Sequence, residues 1–261
     1  MFDFHMHSRV SFDSEAQPLD MVRAAEERGL RAICFTDHYD HHEHKEEKHD
    51  LFTLADYAAA YDGLHSERVK ILRGVEVSLV DWNREELNRF LASRRFDFVI
   101  GSVHYAGGHD PYYPAFWEGK TVEEAFALYM EQTLKMVKTH ENFDVLGHIN
   151  YVCKSAHNPT RAPLRHEDYR EISDEILRIL VQKGKGMEIN TSGVDRVGDF
   201  LPSRDFLERF RALGGEIVTL GSDAHDPSRV GQYAEEALAI VKDIFGYVCT
   251  FENRKAVFHR L

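Results

Sequence analysis

The chain has 261 residues, of which 43% are hydrophobic and 29% are charged, a composition that allows a substantial buried core. Its 44 acidic residues outnumber the 32 lysines and arginines, and the net charge of -12 argues against a basic surface that binds nucleic acid. No run approaches the roughly 18 apolar residues that span a bilayer. Residues 1–10 are too polar for a signal-peptide core, and three widely spaced cysteines suit reduced thiols. We therefore expect a soluble cytoplasmic protein without a membrane or nucleic-acid partner.

Short apolar runs alternate with segments of helical periodicity along the chain. The runs predict buried strands at Phe2–Phe4, Ala32–Phe35, Val69–Leu72, Phe98–Ile100, Val145–Leu146, Gly186–Ile189 and Glu216–Leu220. The segments between them predict helices at Pro18–Gly29, Leu54–His65, Glu85–Arg94, Val122–Glu141, Glu167–Lys183, Asp205–Leu213 and Tyr233–Phe245, followed by a weak strand at Tyr247–Phe251. This alternation favours a parallel sheet covered by helices. No repeat or linker interrupts it, so we expect a single domain over residues 1–261.

Histidine and acidic residues cluster directly after these predicted strands. The clusters contain His5 and His7, His38, Glu76, His104, His148, and Asp223 with His225. Side chains two apart on a strand point to the same face, so an H-x-H or D-x-H pair can chelate one ion. The carboxyl ends of barrel strands meet at one mouth, and imidazole with carboxylate is the chemistry of a metal site. If these histidines were ordinary core residues instead, each of them would need its own buried hydrogen-bond partner.

Seven or eight such residues exceed the ligands of one tetrahedral zinc ion, so the sequence indicates more than one ion. Glu76 is the only carboxylate among the middle strands and is expected to bridge two ions. Paired ions polarise a phosphoryl oxygen, acidify a water molecule and stabilise the leaving oxygen, which favours phosphoester hydrolysis. Four other histidines lie in a Lys- and Glu-rich run that is typical of a solvated loop: His41, His42, His44 and His49.

An ordered set of motifs resembles the polymerase-and-histidinol-phosphatase (PHP) superfamily. The motifs are D-F-H-M-H-S, S-F-D-S, F-T-D-H, G-V-E, G-S-V-H-Y, G-H-I-N, E-I-N-T-S-G and G-S-D-A-H-D. They cover nearly the whole chain, from Met1 to about Gly231. Within the superfamily, G-S-V-H-Y, the G-H-I that precedes Lys154, and N-T-S-G are most similar to histidinol-phosphate phosphatases of the PHP type.

The resemblance implies an α/β fold, a distorted (β/α)7 TIM-like barrel, with a trinuclear site that holds two to three divalent ions (Zn, Mn or Fe). It assigns the first ion to His5, His7, Glu76 and Asp223. It assigns the second ion to Glu76, His104 and His148, and the third to Asp13, His38 and His225. Many relatives have His at the place of Asp13, and a carboxylate there shifts preference toward harder ions such as Mn or Fe. A turn or helix N-cap is the alternative role for Asp13.

The implied activity is hydrolysis of L-histidinol phosphate to L-histidinol and phosphate, in histidine biosynthesis, by attack of metal-bound hydroxide. The residues expected to take part directly are Glu76, Asp223 and His225. No cysteine occupies a phosphate-loop pattern, so no phosphoenzyme is expected. The residues expected to contact substrate are Arg196, Lys154 and Arg161 on the phosphate, Asn190 and Ser192 through hydrogen bonds, and Asp195 or Asp199 on the ammonium. The bases could equally be exposed loop residues, and Asn190 and Ser192 could cap the strand exit.

Two other classes of function remain open. One is a PHP phosphoesterase of different or broad specificity, acting on nucleotides, sugar phosphates or phosphotyrosine, although no segment matches the helical insertion of the nucleotide enzymes. The other is a non-catalytic metal-binding or proofreading module, like the PHP domain of bacterial DNA polymerases. No polymerase is attached here and the chain is acidic, so we expect a small-molecule phosphomonoester as the partner. The sequence leaves the oligomeric state open.

Overall fold

Seven parallel strands form a nearly closed barrel in the computed structural model, which describes residues 1–261. The strands of the chain are β1 (Phe2–Met6), β2 (Ala32–Phe35), β3 (His38–Tyr39), β4 (Lys70–Ser78), β5 (Phe98–Ser102), β6 (Val145–Leu146), β7 (Gly186–Asn190), β8 (Val218–Gly221), β9 (Tyr247–Glu252) and β10 (Lys255–Arg260). Hydrogen bonds connect β1, β2, β4, β5, β6, β7 and β8 in that order, and the short β3 pairs with β4. The backbone N–H of Asp223 donates to the carbonyl of His5 at 2.7 Å, which joins the exit of β8 to β1.

Helices cover the outside of this barrel. They are α1 (Pro18–Glu27), α2 (Leu54–Tyr61), α3 (Arg84–Ser93), α4 (Pro114–Trp117), α5 (Val122–Thr139), α6 (Arg170–Gln182), α7 (Val194–Val197), α8 (Arg204–Ala212) and α9 (Ala234–Phe245). None of them combines the length and apolarity needed to cross a membrane. A single cluster of 63 buried hydrophobic residues fills the barrel and the layer between strands and helices.

Local sequence signals explain where these helices form. The α5 helix begins at a capping box, in which the Thr121 hydroxyl accepts from the backbone N–H of Glu124 and the Glu124 carboxylate accepts from that of Thr121. On α6, the fully buried Ile176, Leu177 and Leu180 recur at the three-to-four-residue spacing of an amphipathic helix. The seven predicted helices and seven predicted barrel strands are all present, so the (β/α)7 architecture is confirmed.

One barrel strand is much longer than the sequence predicts, and two further strands were not predicted. The β4 strand continues to Ser78, because Arg73, Gly74 and Glu76 interrupt its apolar run without ending the strand. The β3 strand has only two residues, and both are polar or aromatic rather than aliphatic. The β10 strand has no buried residue and carries charged residues at both ends, so it lacks the signal of a buried strand.

The antiparallel hairpin of β9 and β10 closes the amino ends of the barrel strands. Asn253 and Arg254 form its two-residue turn with φ angles of 50° and 64°, the left-handed geometry of a tight hairpin. Their backbone N–H groups donate to Asp97, which immediately precedes β5, at 3.1 and 2.8 Å. The rings of Phe251 and Phe98 stack with centroids 4.8 Å apart. The opposite end of the barrel, at the carboxyl ends of the strands, stays accessible.

Candidate metal centre

The predicted site residues lie at or near the carboxyl ends of the strands, at the accessible end of the barrel. Glu76 lies within β4, whereas His104, His148 and Asp223 each lie two residues beyond the last residue of β5, β6 and β8. All four side chains are buried, and none exposes more than 6% of its surface. Charged and imidazole groups at this depth require partners of opposite character.

Four side chains form the first donor group, and the measured distances between their donor atoms are 3.1–3.7 Å. The Nε2 atom of His5 lies 3.1 Å from Nε2 of His7 and 3.1 Å from Oε2 of Glu76. The Oδ1 atom of Asp223 lies 3.3 Å from Nε2 of His7 and 3.7 Å from Nε2 of His5. The structure therefore brings together the four residues that the resemblance assigned to the first ion.

The other carboxylate oxygen of Glu76 belongs to a second group. Its Oε1 atom lies 2.9 Å from Nε2 of His148 and 3.3 Å from Nε2 of His104. The hydroxyl of Ser102 donates to the same oxygen at 2.6 Å. Because its two oxygens face different groups of imidazoles, the Glu76 carboxylate has the geometry of a bridging ligand.

Asp13 lies in the third group, beside the two histidines with which it was predicted. Its Oδ2 atom is 3.1 Å from Nε2 of His225 and 3.7 Å from Nε2 of His38. The ring of His7 stacks against both imidazoles, with centroids 4.2 Å from His38 and 4.1 Å from His225. All residues of the predicted trinuclear set thus lie in one continuous cluster.

The hydrogen bonds of the imidazoles test whether this cluster fits metal ions. In four rings the Nδ1 atom faces an oxygen, which leaves Nε2 as the lone-pair nitrogen of the neutral ring. The Nδ1 partners are Glu188 for His5 (2.6 Å), Ser11 for His7 (3.1 Å), Asp40 for His104 (2.6 Å) and the Asp223 carbonyl for His225 (3.0 Å). All four Nε2 atoms then point at carboxylate oxygens 3.1–3.3 Å away. Two acceptors that face each other need a cation between them, either a metal ion or a proton, so the donor set has the chemistry of a metal site.

Electrostatics favour the metal-binding charge states at Glu76 and His7. Burial alone would raise the pKa of Glu76, but His5 and His104 outweigh burial and hold that pKa well below its usual value. Burial, together with the neighbouring His225, lowers the pKa of His7 well below its usual value. At neutral pH Glu76 is therefore ionised and His7 is neutral, which leaves the His7 lone pair available to a cation. At His5, His104 and His225 burial is outweighed by neighbouring carboxylates, which raise the pKa, so metal binding at these imidazoles displaces a proton.

Sequence reasoning missed two carboxylates that orient the histidines. Glu188 on β7 holds Nδ1 of His5, and its second oxygen accepts from the backbone N–H of His148 at 3.0 Å. Asp40 performs the same role for Nδ1 of His104. The sequence did offer one signal for Glu188, because it is the only charged residue in the strand Gly186–Asn190. A carboxylate inside a buried strand needs a buried partner, which would have indicated a role at the site.

Two glycines in the G-H and G-S-D motifs leave space for these contacts. A Cβ atom at Gly221 would overlap the side chains of His5 and Glu188. A Cβ atom at Gly147 would overlap the Ser102 hydroxyl that donates to Glu76. Glycine at both positions therefore allows neighbouring strands to present their polar side chains to the centre.

A cleft of about 630 Å³ opens above the cluster. Four of the predicted substrate-contacting residues line it: Lys154, Ser192, Asp195 and Arg196. The Nζ atom of Lys154 lies 2.6 Å from Oδ2 of Asp223. Burial opposes the charge of Lys154, but Asp223 outweighs it and raises the pKa of the ammonium. A cation thus lies directly beside the first donor group.

Two other predicted contact residues do not reach the cleft. Asn190 is fully buried beneath it, and its Nδ2 atom donates to Glu188 at 3.2 Å. Arg161 is exposed on the loop after Lys154 and does not line the cleft. The structure gives Asn190 the position of a residue that supports Glu188, and it does not bring Arg161 to the centre.

The two acids predicted to hold an ammonium are both already paired with arginine. Asp195 lines the cleft, but its carboxylate accepts from Tyr233 at 2.7 Å and pairs with Arg229 at 2.8 Å. Asp199 pairs with Arg165 at 2.8 Å and lies outside the cleft. Neither carboxylate therefore offers a negative charge that is free to bind the ammonium group of a substrate.

The barrel and its buried imidazole–carboxylate cluster define a metal-binding barrel protein with a multinuclear centre. The family model of the PHP domain matches residues 3–192. The chain belongs to the PHP domain family. It is 35% identical to the histidinol-phosphatase of Lactococcus lactis over 97% of this chain and 95% of that relative.

A solved structure agrees with this membership. The crystal structure of histidinol phosphate phosphatase from Lactococcus lactis, complexed with zinc, L-histidinol and phosphate, matches with a TM-score of 0.81 and 31% identity. The match covers 98% of each chain. A histidinol phosphatase structure from Listeria monocytogenes matches with a TM-score of 0.74 at 17% identity, over 90% of this chain and 99% of that one. This second likeness supports the fold alone.

Proposed function

We propose that the chain is a metal-dependent phosphomonoesterase that hydrolyses L-histidinol phosphate to L-histidinol and phosphate. The observation that carries the proposal is the buried cluster of imidazoles and carboxylates around Glu76, with Lys154 and Arg196 beside it in one cleft. The similarity to the Lactococcus lactis enzyme, whose structure holds L-histidinol and phosphate, supports the choice of substrate. A place in histidine biosynthesis, in the cytoplasm, follows from this activity.

Two to three divalent transition-metal ions would be held by the three donor groups. We assign one ion to His5, His7, Glu76 and Asp223, a second to Glu76, His104 and His148, and a third to Asp13, His38 and His225. The distances of 2.9–3.3 Å between imidazole nitrogens and carboxylate oxygens within the three groups support these assignments. Nitrogen and oxygen donors suit zinc, manganese and iron alike.

Bound ions would supply Lewis acidity, which neutralises the phosphoryl oxygens and acidifies a water molecule. Lys154 adds a positive charge at the same place. Its ammonium has three donors, and Asp223 engages only one of them, so the others can reach phosphate oxygens. Arg196 on α7 can present its planar guanidinium to two further oxygens. Both cations fix the phosphate and stabilise the charge that develops during its transfer.

The residues beneath the cleft would keep the ligands in place during the reaction. Glu188 and Asp40 fix the ring orientations of His5 and His104 through their Nδ1 atoms. Asn190 in turn holds Glu188 and lies 3.4 Å from the Asp223 carboxylate. We propose that the whole chain, residues 1–261, is one catalytic domain, which its single hydrophobic core supports.

Steady-state kinetics on a substrate panel tests this function. Purified protein of measured metal content is assayed with L-histidinol phosphate, glycerol phosphate, a nucleoside monophosphate and phosphotyrosine. We expect the highest kcat/KM for L-histidinol phosphate. Comparable values across the panel would make the chain a phosphoesterase of broad specificity, and no hydrolysis of any ester by the metal-loaded protein would contradict enzymatic function.

A further inference from the structure

Asp110 is the one cleft-lining carboxylate that has neither a basic partner nor a place in the three donor groups or their supports. Asp13 and Asp223 face imidazoles, Asp40 holds His104, and Asp195 is neutralised by Arg229. The Asp110 carboxylate accepts only from the backbone N–H of Tyr112 at 2.7 Å and the hydroxyl of Tyr151 at 3.1 Å. Both bonds engage Oδ1, which leaves Oδ2 available to a ligand.

The surroundings of Asp110 are aromatic and unusually exposed. Tyr112 and Tyr113 line the same cleft although 37% and 55% of their surfaces are accessible. Phe12, which also lines the cleft, is 56% exposed. Three of the six exposed large hydrophobic side chains of the molecule therefore border this single cleft. Apolar rings held at the surface beside an unpaired carboxylate are typical of a binding site for an organic cation.

The lining of the cleft therefore combines two chemically different sets of residues. Lys154, Arg196 and the donor groups provide positive charge or bind cations, as an anionic phosphate requires. Asp110, Tyr112 and Tyr113, on the loop between β5 and α4, provide a negative charge and flat rings. A ligand that fits both sets carries a phosphate together with a cationic, aromatic group.

We propose that Asp110 binds the ammonium group of the substrate, and that Tyr112 and Tyr113 contact its imidazole ring. This inference rests on the proposed function and identifies what discriminates the alcohol half of the ester. An ammonium placed against Oδ2 of Asp110 gains a charge-assisted hydrogen bond in a partly desolvated position. An ester without the amine leaves that carboxylate unpaired and loses this interaction.

The test compares Asp110→Asn with the wild type on three substrates. These are L-histidinol phosphate, its desamino analogue 3-(imidazol-4-yl)propyl phosphate, and p-nitrophenyl phosphate. We expect Asp110→Asn to lower kcat/KM for L-histidinol phosphate on the order of 10- to 100-fold, mainly through KM. Hydrolysis of the two esters that lack an amine should change by less than about threefold. The exposed Glu118→Gln, directly after α4, is the matched control and should behave as wild type.

Two further measurements separate recognition from other roles. Inhibition of p-nitrophenyl phosphate hydrolysis by L-histidinol should weaken in Asp110→Asn, and Asp110→Glu, which keeps the charge, should recover part of the lost affinity. An equal loss on all three substrates would overturn the proposal and indicate a role in proton transfer or folding. No loss on any of them would overturn it as well. If instead the wild type shows no preference for L-histidinol phosphate, the proposed function itself fails, whatever the variant does.

Discussion

The Oε1 atom of Glu188 lies 2.6 Å from Nδ1 of His5, directly beneath the metal-binding cluster. Both side chains are buried, and the backbone N–H of His148 donates to the second oxygen of the same carboxylate. One acid on β7 therefore orients two residues that belong to different donor groups. A carboxylate behind a ligating imidazole fixes its tautomer and makes its lone pair a stronger donor.

Replacement of Glu188 by Gln should weaken metal binding and activity by about 10- to 100-fold, because it removes the charge that orients His5. The measurement is zinc affinity by competition with a chromophoric chelator, together with kcat at saturating zinc. The exposed Glu67→Gln serves as control because its side chain makes no contact with the cluster. Unchanged zinc affinity in Glu188→Gln would show that the contact has no role in holding metal.

Glu76→Gln should lower kcat by several orders of magnitude, because the bridging carboxylate has an oxygen in each of two donor groups. The expected accompanying change is a loss of bound metal, measured by elemental analysis on the same sample. Near wild-type turnover of Glu76→Gln would mean that the bridge between the ions lies elsewhere.

The purified protein should contain two to three divalent transition-metal ions per chain. Chelation should abolish activity and lower the melting temperature, because the Nε2 atoms would again face carboxylates without a cation between them. Addition of zinc or manganese should restore both properties. One ion or none in protein that was never exposed to chelator would count against the trinuclear arrangement.

The sequence predicted the barrel well because strands of a parallel sheet are buried on both faces and read as continuous apolar runs. Site residues such as His104 and Asp223 were predictable because they follow those runs directly. Glu188 and Asp40 were not, since their role depends on which imidazole lies opposite, and that depends on strand order. Loop residues such as Asp110 were missed because a loop has no periodic pattern in its sequence from which its path over the barrel mouth could be predicted.

Arg196→Ala should raise KM for the phosphoester by about 10- to 100-fold, since it removes a charged hydrogen-bond donor that lines the cleft. Arg161→Ala provides the contrast, because Arg161 lies outside the cleft, and its KM should stay close to that of the wild type. Phosphate inhibition constants for both variants check that the effect concerns the phosphate. Equal effects of the two substitutions would remove Arg196 from the phosphate site.

Asp174, on α6 and far from the cleft, should make stability depend on pH in a defined direction. Its carboxylate accepts from Arg209 at 2.7 Å and from His166 at 2.8 Å, and the hydrogen bond from Arg209 holds its pKa below the usual value. A depressed pKa means that the stabilisation is complete above the pKa of the unfolded chain, about 3.9 for Asp. It is lost as the pH falls through the lower pKa of the folded state.

Asp174→Asn should therefore melt below the wild type at pH 7, and the gap should narrow only as the pH falls below about 4. Melting temperatures of both proteins, measured side by side from pH 7 to pH 3, give this difference directly, and effects common to both chains cancel. Asp168→Asn, an exposed acid in the turn just before α6 that forms no ion pair, should show no gap at any pH. A gap for Asp174→Asn that stays constant over the whole range would mean that the hydrogen-bond geometry of Asp174, and not its charge, stabilises the fold.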